Sequence, residues 1–173
     1  MNRTYILLII LAFIAAVTLS AQNANPFSAD AKQSYIGIKT TLTKAAEKMP
    51  EENYSFKTVP AVRTYGEMIG HIADIQVMLC GLVKGEQKRG DAASKKTKAE
   101  LTAALKASFD YCDPVYDSMT DAAGAAKVTL FGRQLTKLGV LNFNTEHDNE
   151  MYGNMVAFLR IKGIVPPSSD RNP

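Results

Sequence analysis

The chain has 173 residues, 46% of them apolar and 21% charged, proportions that exclude a disordered or low-complexity polypeptide and a length that points to one globular domain. Its formal net charge of +3 is not gathered into a basic stretch, which excludes nucleic acid as a partner.

Arg3 gives a positive start, Ile6 to Val17 is an unbroken apolar run, and Leu19-Ser20-Ala21 precedes Gln22 with small or tolerated residues. This pattern fits a signal peptide over residues 1–21, cut after Ala21, and a mature domain over 22–173 that is secreted or periplasmic. The run is shorter than the roughly 20 residues a spanning helix needs, so no membrane anchor is expected after cleavage. No cysteine follows it to carry a lipid.

A first helix is expected over Ser28–Met49, where Tyr35, Ile38, Leu42, Ala45 and Met49 recur at steps of three and four before Pro50. Thr64 and Glu67 form a capping box for a second helix that reaches Lys84 and stops at Gly85. Its apolar residues nearly encircle it, so it should be the most buried element. Gly85 to Lys96, with Glu86, Lys88, Arg89, Asp91 and Lys95, reads as a solvated connection. Thr97 and Glu100 open a third helix carrying Leu101, Leu105, Phe109, Cys112, Tyr116 and Met119, with a kink or break expected at Asp113-Pro114. Asp110, Asp113, Asp117 and Asp121 follow the same spacing and are read as the solvated face rather than as catalytic carboxylates. Thr120 to Gln134 is expected to be an ordered loop. A fourth helix follows over Thr136–Ile161, ended by Gly163 and Pro166-Pro167. Four amphipathic helices make an all-α four-helix bundle.

Cys80 and Cys112 have two readings. An exported protein allows them to pair, yet two small apolar core residues would have the same pattern. On antiparallel helices joined near residue 90, a shift of a few residues at ~1.5 Å each moves the pair in or out of the ~7 Å Cα limit for a disulfide.

The fourth helix places polar residues where its apolar stripe should continue, through Leu141, Asn144, His147, Met151, Met155 and Phe158. A buried polar group without a partner costs on the order of 1–3 kcal/mol, so these side chains need partners. His71, the other histidine of the chain, lies on the inner line Met68, His71, Ile75, Met78 and Leu82. Two imidazoles in one interior layer suggest a shared site, although a metal normally wants three protein ligands. Tyr65, Tyr111 and Tyr152 are amphipathic side chains that suit either a pocket wall or the framework. The chain has no Ser-His-Asp arrangement, phosphate-binding glycine loop or Cys-x-x-Cys motif.

The segment His147-Asp148-Asn149-Glu150-Met151-Tyr152-Gly153-Asn154, the Gly163-to-Pro167 ending and Gly66-Glu67-Met68-Ile69-Gly70-His71-Ile72-Ala73 resemble the last and second helices of the DinB-like family. The resemblance implies a four-helix bundle, often a homodimer, and a nickel or zinc ion held by one histidine of the second helix and a His-x-x-x-His pair of the last. His71 and His147 match the first two ligands, and the third position is Met151. Three readings follow. Foremost is a non-catalytic bundle without cofactor that binds a small molecule or partner in the vacated pocket, with Asn144, Glu150, Met151 and Tyr152 expected to line it. Another is a nickel- or zinc-dependent hydrolase or thiol-transferase-like enzyme using His71 and His147 with a substitute ligand such as Glu150, Asn144 or water. In the third, His71, His147 and the Met151 thioether hold Cu(I), which favours soft donors.

Overall fold

The structure, a computed structural model, describes residues 25–170. The expected signal peptide over 1–21 lies outside the described residues. Four long helices form the bundle: α1 (Pro26–Lys48), α2 (Tyr65–Lys84), α3 (Lys98–Ser118) and α5 (Lys137–Ile161). Between α3 and α5 lie a single helical turn, α4 (Asp121–Gly124), and an antiparallel hairpin of β1 (Lys127–Leu130) and β2 (Arg133–Thr136). The fold is all-α apart from this hairpin.

Each helix start is fixed by side-chain chemistry. Thr64 with Glu67 and Thr97 with Glu100 form both capping boxes, and Thr136 accepts from Gly139 N–H at the start of α5. The start of α1 is capped from a distance. Asp121 accepts from Ser28 N–H at 2.8 Å and Phe27 N–H at 3.3 Å, while Asn25 Oδ1 accepts from Asp121 N–H at 2.9 Å. α2 ends at Gly85, whose φ of 83° a side chain would resist.

The helix directions differ from the simplest expectation. Gly66 packs on Leu101, Gln76 on Ser108 and Cys80 on Cys112, so partners ascend together and α2 runs parallel to α3. The 85–97 connection therefore travels back along the length of α2. It is not merely solvated: Asp74 accepts from Ala92 N–H at 2.8 Å and Ala93 N–H at 3.0 Å. Gly90 lies so close to Asp74 that a Cβ there would stand 2.1 Å from Asp74 Oδ1. The parallel arrangement also settles the cysteines. Cys80 and Cys112 lie at matching heights in their helices, and they form a disulfide with a Cα separation of 5.5 Å.

α1 runs against α3, with Tyr35 OH 2.9 Å from Asp113 Oδ1 and Lys32 paired to Asp117 at 2.9 Å. α5 runs against α2, as the pairs Tyr65–Phe158, His71–His147 and Gln76–Asn144 show. Leu42, Ile69, Ile72, Leu79, Leu141 and Leu159 are fully buried between the four helices. Each contributes roughly 1.5–3 kcal/mol relative to exposure.

Three other expectations are corrected. α3 does not break at Asp113-Pro114 but continues to Ser118. The carbonyl of Asp110 loses its partner on the exposed side, while Val115 and Tyr116 beyond the proline are buried, and Tyr116 donates to Leu141 O at 2.8 Å. Tertiary packing of that last turn outweighs the proline penalty. Residues 120–134 are not a loop: Val128-Thr129-Leu130 is a strand, and Phe131 (φ 49°) with Gly132 (φ 77°) makes the tight turn between β1 and β2. The aspartates of α3 are more than a wet face, since Asp113 bridges to Lys39 and Tyr35 across the α1 interface.

Candidate functional site

His71 projects from the second turn of α2 and His147 from the middle of α5, and the antiparallel packing of these helices brings the rings together. Their Nε2 atoms lie 3.1 Å apart and the ring planes meet at 67°. This separation allows one ring to donate N–H to the lone pair of the other. Burial lowers the His71 pKa, aided by the guanidinium of Arg63 and by His147, while the charges of Asp74 and Glu150 act in the opposite sense. The neutral imidazole is thereby favoured.

Behind His147 the interior is more polar than its sequence position announces. Asp148 is fully exluded from solvent, and its pKa is pushed up from 3.8 to about 6 by burial, against a smaller opposing pull from His147. Its Oδ1 lies 3.7 Å from His147 Nδ1, too long for a hydrogen bond. Both Asp148 oxygens and His147 Nδ1 have no hydrogen-bond partner among the described residues. Beside them Asn144 donates to Tyr116 OH at 3.2 Å and lies 3.5 Å from Gln76 Oε1, and Gln76 donates to Ser108 Oγ at 3.1 Å. Gln76, Ser108 and Asp148 were not legible as a polar layer. Asp148 did carry a signal, since it stands seven residues from both Leu141 and Met155 and so continues their buried line.

Of the expected pocket residues, Met151 lines a cleft of about 910 Å³ beside His71, whose walls include Met68, Phe158 and Arg63. Asn144 does not reach this cleft and belongs to the polar layer. Tyr152 faces α1 instead, where its hydroxyl donates to Ser168 Oγ at 2.8 Å and accepts from Ser168 N–H at 2.9 Å. Glu150 is exposed and acts on His71 only through its charge. Tyr65 donates to Ala45 O at 2.7 Å, and Tyr111 to Glu86, so both serve the framework.

The architecture defined so far is a four-helix bundle with a crossover between parallel second and third helices and a histidine pair between the second and last. Residues 39–153 match the DinB superfamily, and the chain belongs to it. It is 20% identical over 133 residues to the uncharacterized protein YjoA of Bacillus subtilis strain 168, a match covering 75% of this chain and 86% of YjoA. The crystal structure of YjoA superimposes with a TM-score of 0.67 at 20% identity, covering 82% of this chain and 99% of that one. A DinB-like protein of Bacillus cereus ATCC 10987 gives a TM-score of 0.67 at 19% identity, covering 78% and 92%. At these identities the likeness establishes the fold.

The donor set does not fit the nickel or zinc ion that the family resemblance implies. Met151 occupies the third ligand position with a thioether, a poor donor for either ion, and among the described residues no three His, Cys, Asp or Glu side chains converge on a common point.

Proposed function

We propose that this chain is an exported, non-catalytic member of the DinB superfamily that binds a small molecule in the cleft beside His71. The observation that carries the reading is the replacement of the third imidazole by Met151, whose side chain forms cleft wall while His71 and His147 face each other at 3.1 Å. The two Nε2 atoms then satisfy each other, and the space next to them is walled in part by Met68, Met151 and Phe158, apolar groups suited to a ligand. Export rests on the signal-like pattern of residues 1–21 and is supported by the Cys80–Cys112 disulfide, a bond that persists in oxidising compartments.

Elemental analysis of untagged protein tests the proposal. Nickel and zinc are expected well below one equivalent, and Met151→His is expected to raise divalent affinity at least tenfold by completing the triad. Stoichiometric metal that disappears in His71→Ala and His147→Ala would overturn the metal-free reading.

One observation favours a second reading. Two nitrogens 3.1 Å apart with metal–nitrogen bonds of ~2.0–2.1 Å subtend about 100° at a shared ion, close to a tetrahedral angle. Such an ion would be divalent with water completing its shell, or Cu(I) with Met151. Copper retained only under reducing conditions and lost in Met151→Leu identifies the latter.

A further inference from the structure

The charged groups that line the cleft are unevenly engaged. Two of them are carboxylates, and both already accept hydrogen bonds from the backbone. Glu67 accepts from Thr64 N–H at 2.8 Å, and Asp74 holds Ala92 N–H and Ala93 N–H. Lys57 and Lys96 also lie near enough to Glu67 to help lower its pKa, after the larger effect of the Thr64 backbone bond. Arg63 differs. Its guanidinium borders the same cleft and is close enough to disfavour protonation of His71, yet it makes no hydrogen bond or ion pair among the described residues.

We infer that the cleft takes a small amphipathic monocarboxylate, its carboxylate held by Arg63 and its hydrocarbon part laid on Met68, Met151 and Phe158. This inference rests on the ligand-binding reading above and names its ligand class. The chemistry is complementary at both ends. A guanidinium presents a planar fork of donors that a carboxylate meets with two parallel hydrogen bonds, and an unpaired arginine at the mouth of a cleft retains that capacity. The three wall residues are each more than 90% buried, so the cleft floor is a packed apolar surface rather than a set of mobile side chains. A volume of about 910 Å³ suits a molecule of drug-like size and is ample for an acid of eight to ten carbons.

Calorimetric titration of untagged, disulfide-intact protein with matched probes tests the inference. Octanoate and 4-phenylbutyrate are compared with octanol and 4-phenylbutanol, with octylamine, and with inorganic phosphate. The acids are expected to bind at least tenfold more tightly than the alcohols, and the amine and phosphate not to bind measurably. In Arg63→Gln the acids should fall to the level of the alcohols, with an unchanged melting temperature, because Arg63 is exposed and makes no bond that the fold needs. Met151→Trp, which fills the cleft, should abolish binding of every probe. Alcohols binding as tightly as acids, or acids undiminished in Arg63→Gln, would overturn the monocarboxylate inference while leaving a ligand cleft in place. Phosphate binding that depends on Arg63 without any contribution from a tail would overturn it in favour of a simple anion site. Failure of every probe to bind wild-type protein would overturn both this inference and the ligand-binding reading beneath it.

Discussion

Asp148 is the residue least at ease in this structure. An acid whose folded pKa is raised holds its proton more tightly in the native state than in the unfolded chain, so its contribution to stability is full below about pH 4 and is lost as the pH climbs through about 6. A rise from 3.8 to about 6 corresponds to about 3 kcal/mol. Asp148→Asn should therefore stabilise the protein most above pH 6, with the gain over wild type shrinking towards pH 4. Denaturant midpoints of both proteins across that range check this, and a difference independent of pH would contradict it. The histidines were legible because only two occur and both fall on apolar helical lines. Asp148 was passed over although it continues the Leu141–Met155 line, because an aspartate beside a histidine on a helix of mixed polarity reads as an ordinary surface residue. Only the exact phase of α5, set by packing against three other helices, shows that the interior falls on Asn144, Thr145 and Asp148, with His147 at its edge.

The same division between local and distant causes governs the elements. The starts of α2 and α3 were readable because a capping threonine and its glutamate lie three residues apart, whereas the Thr136 cap of α5, which has no such glutamate partner, shows only in the structure. The cap of α1 was not readable either, because Asp121 reaches it from the other side of the bundle. The hairpin escaped notice because its strands have four residues each and its turn uses Phe131 in a left-handed conformation, where asparagine or glycine is the usual signal. The crossover between α2 and α3 depends on a fit that pattern reading does not detect: Gly90 admits Asp74, and Asp74 gathers the amides of Ala92 and Ala93. Gly90→Ala should force Asp74 away from those amides and cost about 1–3 kcal/mol. Thermal melts measure the loss. Asp74→Ala combined with Gly90→Ala should cost less than the sum of the two single changes, since one of them already removes the clash.

For the whole molecule, the four-helix class was written in the hydrophobic periods, but the direction of the helices was not. A connection of this length serves either a turn between antiparallel neighbours or a return path between parallel ones. The choice falls to contacts such as Gln76 with Ser108, which no spacing within one helix encodes. The disulfide joins cysteines 32 positions apart, and closing a loop of that size in the unfolded chain corresponds to about 3–4 kcal/mol. Cys80→Ser with Cys112→Ser should lower stability by that order, and reduction of the wild-type protein under denaturing conditions followed by refolding without oxidant should do the same. Unfolding curves under both conditions decide it. The bond also encloses the exposed stretch Glu86 to Arg89 between its two ends. A protease that cuts there would yield halves still covalently joined, so a nicked molecule would travel as one band on a gel until a reductant parted it.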